Sequence, residues 1–238
     1  MMEHEHSAEA IQARLAAGPQ HSYLRDWVYG GIDGAVTTFA IVSAVAGAQL
    51  SSRIVLVLGL ANLLADGFSM AASNYLGTRA EHEEWQHLES VEQRHIDTAP
   101  EGEREEVRQI FQQKSLEGAG LDYVVDAITA DRDRWVRTML AEEYGLPQAV
   151  RSPWLAGMST FSAFVLCGLP SLLPFFFGLP HTFWLATGVT GGVFFTIGSV
   201  KSRWSPAPWW RSGLSTLGVG LLAAGLAYGA GMLLKGLI

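Results

Sequence analysis

Apolar and polar residues in this chain are sorted into long blocks rather than mixed at the spacing of a surface helix. Five stretches of about 18–25 residues carry almost no charge: Val28–Leu50, Ile54–Leu76, Trp154–Gly178, Phe183–Val200 and Leu214–Leu234. At about 1.5 Å per residue, each is long enough to cross a bilayer's hydrocarbon layer. Between the second and third stretches lies a polar block, 79–151, whose helix breakers predict three helices. The first continues the second span to about Thr98 and stops at Pro100. The second runs from near Glu103 to Gly118-Ala119-Gly120, and the third from Leu121 to Tyr144, before Gly145 and Pro147. The pattern predicts an all-α membrane protein with five transmembrane helices and a three-helix cytoplasmic insert between spans two and three. Its expected divisions are an N-terminal segment 1–27, spans one and two in 28–78, the insert 79–151, and spans three to five in 152–238.

Charge sets the expected orientation. With five spans and an internal N-terminus, only Arg53 and Lys235 of the 16 Lys and Arg residues fall outside. The N-terminus is therefore expected in the cytoplasm and the C-terminus on the far side. The formal net charge of −7 is concentrated, since 17 of the 23 acidic residues lie between Glu81 and Glu143. That region suits cations as partners and excludes nucleic acid. Residues 1–27 lack a basic stretch before an apolar core, so no cleaved signal peptide is expected. Without targeting features, the expected location is a bacterial cytoplasmic membrane. Cys167, as the single cysteine, excludes an intramolecular disulfide. Trp27, Trp154, Trp184, Trp204, Trp209 and Trp210 sit at span ends, where indole rings anchor at the headgroups. Pro170 and Pro174 predict a kink in span three. Gly188-x-x-x-Gly192 and Gly225-x-x-x-Gly229 read as helix-packing positions, within or between subunits.

Several residues could carry chemistry. Asp33, early in span one, is costly in a membrane by about 2.5–3.5 kcal/mol, so it is either functional or an interfacial helix cap. In Asn62-x-x-x-Asp66-x-x-x-Met70, four-residue spacing puts an amide, a carboxylate and a thioether on one face of span two. The soft sulfur favours Fe²⁺, Mn²⁺, Co²⁺ or Zn²⁺ over Mg²⁺ and Ca²⁺. Glu81, Glu84, Glu92 and His95 fall on one face of a helical wheel. That stripe is either a cation site or a solvated acidic face. Met139 and Glu143 repeat the pairing of soft and hard ligands at i and i+4. Glu103 and Glu106 open the second insert helix, where carboxylates suit the dipole, and capping is the expected role. His4 and His6 are expected to be disordered near the terminus.

These residues carry a resemblance. Ile32-Asp33-Gly34-Ala35, Ser69-Met70-Ala71 and an acidic helical insert before three further spans resemble the vacuolar iron transporter family, in order and spacing, from about Trp27 to Leu234. The resemblance implies a homodimer of five-helix subunits that exports Fe²⁺, and often Mn²⁺, from the cytosol in exchange for protons. It implies a translocation site at Asp33 and Met70. It also implies a cytoplasmic metal-binding domain using Glu81, Glu84, Glu92, Met139 and Glu143. His95 stands where the pattern has a Glu, and remains a competent ligand. Asn62 stands where plant members carry a Glu, and Asp66 lies one turn on, as though the acid had shifted by a turn. The expected function is transport, not enzymatic chemistry. Fe²⁺ or Mn²⁺ would be cargo, Zn²⁺ or Co²⁺ substitutes, and protons, the bilayer and a second copy the partners. The residues leave open two rivals: a ferroxidase-like carboxylate–metal enzyme, for which Glu92-x-x-His95 is half of a familiar pattern, and a metal sensor or store.

Overall fold

A computed structural model describes residues 5–17, 21–147, 151–204 and 206–235. The expectation for His4 lies outside the described residues. Ten α-helices are described: α1 (Ala8–Ala17), α2 (Leu24–Gly47), α3 (Ser52–Thr98), α4 (Pro100–Gln113), α5 (Gly118–Thr129), α6 (Arg132–Glu142), α7 (Pro153–Gly168), α8 (Leu173–Phe176), α9 (Thr182–Lys201) and α10 (Trp209–Leu234). Among the described residues there is no strand. The chain divides into a polar unit, with residues up to 21 and 78–152, and an apolar unit, with residues 22–77 and 153–238. Helix α3 contributes its first half to the apolar unit and its second half to the polar one.

The apolar unit is built around α2. Ala35, Phe39 and Val42 of this helix are buried. Small residues let its neighbours approach closely. A Cβ on Gly34 would lie 2.8 Å from the Cα and carbonyl carbon of Phe164 on α7, and one on Gly231 of α10 would lie 2.9 Å from the carbonyl carbon of Ala44. Neither position accepts a side chain without driving two backbones apart. By contrast, Gly188, Gly192, Gly225 and Gly229 have nothing within 4 Å of such a Cβ, so among the described residues no helix packs closely on the two expected glycine motifs. Helix α7 ends at Gly168 and continues as a 3-10 turn, Leu169–Ser171, before α8. The expected kink is there, at Pro170, because proline lacks the N–H that continues an α-helix.

Five helices, in α2, α3, α7 with its 3-10 turn, α9 and α10, are long and apolar enough to cross a membrane. Their outer faces carry Leu58, Leu64, Phe68, Leu222 and Leu226, all exposed. Water would penalise that surface, whereas hydrocarbon does not. Trp154, Trp184, Trp209 and Trp210 are exposed at helix starts, as anchoring requires. Trp27 is different: it packs against the buried group of Ala35, Cys167, Phe194 and Ile197, so it belongs to the helix packing.

The polar unit has its own core, in which Ile96, Val107, Leu121, Val125, Trp135, Val136, Met139 and Leu140 meet. Arg108 bridges α4 to Asp122 of α5 at 2.7 Å, and Arg132 ties α6 to Asp97 of α3 at 2.6 Å. One expectation is corrected. The predicted third insert helix is two, α5 and α6, broken at Ala130-Asp131. The Asp131 carboxylate accepts the backbone N–H of Arg134 at 2.8 Å, starting a new helix where the chain would otherwise have continued. The second insert helix also starts earlier than expected, at Pro100, and ends earlier, at Gln113.

Candidate metal centres

In the apolar unit, α2 and α3 meet through polar groups. Buried Val55, Gly59, Leu63 and Gly67 repeat every four residues along α3, and half-buried Asn62, Asp66 and Met70 flank that row. Asn62 Nδ2 donates to Thr37 Oγ1 at 3.2 Å, and Thr37 Oγ1 donates to the Asp33 carbonyl at 2.9 Å. Asp33 is half-buried, and its carboxylate is close enough to that of Asp66 for the two charges to interact. Met70 packs partly against the core that holds Phe39, Val42 and Phe164. With two carboxylates on helices joined by an amide hydrogen bond, one cation placed there would offset two negative charges in a medium that screens poorly.

A second polar node was not foreseen from the sequence. Asp26 is buried, and Asn74 Nδ2 donates to its Oδ1 at 3.0 Å and to Thr160 Oγ1 at 2.8 Å, linking α2, α3 and α7. An Asp two residues before the expected start of a span reads as interfacial, so no local signal marked it.

In the polar unit, the predicted stripe splits into two. Glu81 and Glu84 are exposed and line a cavity of about 400 Å³ with His21, Trp85, Leu146, Pro147 and Arg151. Glu92 and His95, further along α3, join a residue assigned above to helix capping. Glu92, His95 and Glu103 each place a ligand atom within 4.8 Å of the others, the one such group of three among the described residues. His95 Nδ1 lies 3.4 Å from Glu103 Oε1 and 3.7 Å from Glu92 Oε1. Glu92 is fully buried and Glu103 is 5% exposed. Glu103 does not cap: no side chain caps the N-terminus of α4, and Glu103 is turned inward. Tyr144 Oη donates to Glu92 Oε1 at 2.9 Å. Met139 is fully buried in the apolar core, where packing accounts for it, and Glu143 is exposed.

Against this geometry, the sequence was compared with known proteins. A family model described as the VIT family matches residues 24–232. The chain belongs to the VIT family. It is 32% identical to a vacuolar iron transporter of Toxoplasma gondii, covering 90% of this chain and 74% of that protein. It is 30% identical to vacuolar iron transporter 1 of rice, over 87% of this chain and 83% of the relative. A vacuolar iron transporter 1 of Eucalyptus grandis is also 30% identical, over 92% and 88%. With five apolar helices of spanning length, this VIT-family chain is a multi-pass integral membrane protein.

Electrostatics in the polar unit of this VIT-family member follow from crowding. Burial, then repulsion from Glu106 and Glu92, pushes the Glu103 carboxyl up to about 7, against a partial offset from His95. Partial burial, then repulsion from Glu92 and Glu106, raises that of Glu143. Burial, followed by the hydrogen bond to Glu92, raises the Tyr144 phenol, which therefore stays a donor at neutral pH. Five acidic or imidazole side chains thus act on one another where α3, α4 and the end of α6 converge. Such an arrangement favours a divalent cation over an empty, mutually repelling cluster.

Proposed function

We propose that this protein exports Fe²⁺, and also Mn²⁺, from the cytosol in exchange for protons, working as a homodimer with its N-terminus and polar unit in the cytoplasm. The names of its relatives support iron as cargo. The observation that carries the reading is that Asp33 and Asp66 stand on two apolar helices, each one turn from the Asn62–Thr37 hydrogen bond that joins them. A half-buried pair of like charges within a membrane is costly by itself and calls for a cation or a proton between them. In the proposed cycle, the polar unit collects metal through Glu81, Glu84, Glu92, His95 and Glu143. The Asp33, Asp66 and Met70 side chains then hold the ion within the membrane. Protonation of the carboxylates from the far side releases it, because proton and metal compete for the same lone pairs. Asn62, through Thr37, keeps α2 and α3 in register around this pair. Zn²⁺ and Co²⁺ would substitute at a site of mixed hard and soft ligands.

Proteoliposomes loaded with a pH-sensitive dye test this reading. Wild-type protein should take up Fe²⁺ or Mn²⁺ with counterflow of protons, and Asp33→Ala or Met70→Ala should abolish uptake. Glu81→Ala with Glu84→Ala should raise the metal concentration needed without lowering the maximal rate. Asp66→Asn should remove proton movement. Full coupling in Asp66→Asn would make Asp66 structural and leave the proton to Asp33. The encounter of Glu92-x-x-His95 with Glu103 favours one second reading, a carboxylate–metal oxidase. Fe²⁺ oxidation by dioxygen with no uptake by the same preparation would select it.

A further inference from the structure

We propose that Glu103, on α4, is a metal ligand that joins Glu92 and His95 of α3 in a two-carboxylate, one-imidazole site for a borderline divalent cation, and that the bound ion clamps α4 against the end of α3. The proposal rests on the reading of the polar unit as a metal collector, and it adds a ligand from a helix that the family resemblance left out.

The local geometry begins at Pro100. Helix α3 ends at Thr98 and α4 begins at Pro100, so a single residue, Ala99, reverses the chain. Its φ of −141° lies far from helical values, and proline favours a non-helical predecessor. The reversal brings the first turn of α4 back against the last two turns of α3, which places Glu103 beside His95. The donor spacing fits a metal. With metal–ligand distances of about 2.0–2.2 Å, neighbouring donors around an ion lie about 3 Å apart and opposing ones about 4 Å. The His95 nitrogen is 3.4 and 3.7 Å from the two carboxylate oxygens.

The simpler account, a protonated His95 bridging two carboxylates, leaves too much undone. Glu92 Oε2 and Glu103 Oε2 are both buried and accept no hydrogen bond. The Nδ1 position of His95 carries at most one proton, which serves one oxygen. Two buried carboxylates, each with an oxygen that has no donor, are costly, and a divalent ion held between them offsets their charge. About half of the His95 side chain is exposed, which keeps one side of the site open to water and to arriving metal. Two carboxylates and one imidazole with open positions suit Fe²⁺, Mn²⁺, Co²⁺ or Zn²⁺.

Mn²⁺ titration of the full-length protein in detergent, with free ion counted by electron paramagnetic resonance, tests the proposal. Glu103→Gln should weaken one class of sites at least tenfold, and His95→Ala should weaken the same class. The double variant should lose no more than either single one, since both act on one ion. The spin-echo signature of an imidazole nitrogen on Mn²⁺ should disappear in both single variants. Glu103→His, which keeps a donor, should restore much of the binding. Glu101→Gln, an exposed change on the same turn, should leave it unaltered. Unchanged stoichiometry and affinity in a Glu103→Gln protein of normal helical content would overturn the proposal while sparing the collector. Loss of a different class of sites from that lost in His95→Ala would also overturn it. If wild type bound no Mn²⁺ beyond what Asp33→Ala with Asp66→Asn removes, the collector itself would fall.

Discussion

Metal-free protein should be made more stable, not less, by replacing Glu103 with glutamine, and only above mildly acidic pH. The carboxyl is 5% exposed and faces Glu92 and His95 from α3, Glu106 from its own helix and Glu143 from the end of α6. Together, burial and these neighbours raise it from 4.5 to about 7. An acid whose folded-state pKa is raised holds its proton more tightly in the folded protein than in the unfolded chain. Stability from this group is therefore fully present below about pH 4.5 and is lost as pH rises to about 7. At about 1.36 kcal/mol per pH unit, the loss comes to about 3 kcal/mol. Glutamine has nearly the same shape and no charge, so it escapes that loss. The assay is thermal unfolding of full-length protein in detergent with EDTA, at about pH 4.5, 6 and 8. Glu103→Gln should match wild type at the lowest pH and melt progressively higher than it as pH rises. Saturating Mn²⁺ at the highest pH should narrow the gap, because wild type binds the ion more tightly and gains more from it. A lower melting temperature for Glu103→Gln at pH 8 without metal, or a difference that does not change with pH, would refute the reasoning.

Three other perturbations probe separate parts of the molecule. Gly34→Val should prevent α2 and α7 from closing, at a cost of about 3 kcal/mol or more, because the clash is with the Phe164 backbone; size-exclusion profiles of the detergent-solubilised protein would show aggregation in place of the native peak. Tyr144→Phe removes the donor to Glu92 and should weaken Mn²⁺ binding at that site by about 10- to 100-fold, as loss of a ligand's hydrogen-bond partner does elsewhere. Asp131→Ala deletes the α6 cap and should cost about 1 kcal/mol. Hydrogen exchange, faster at the amides of the first α6 turn than at those of α2, would report it.

The transmembrane helices were legible because a bilayer imposes its demand on each segment separately. About twenty consecutive apolar residues satisfy it whatever the rest of the chain does. The stops at Thr98 and Pro170 were legible for the same reason, since proline acts on its own backbone. The break at Asp131 was also local, an N-cap residue inside an otherwise helical pattern, and helical continuity was wrongly preferred over it. Pairings between helices were not legible. On a helical wheel Glu92 belongs with Glu81 and Glu84, yet it is fully buried while they are exposed. The difference lies in what packs over each turn of α3, and no periodicity within α3 records that. Likewise, glycine spacing singled out Gly188 and Gly225, while the backbones meet at Gly34 and Gly231. Glu103 carried the ordinary signature of a helix start, and only the reversal at Ala99 turned its carboxylate toward His95. Spans depend on the free energy of one segment in its solvent. A metal centre depends on side chains from several segments converging within a few ångströms, and that convergence is decided by packing.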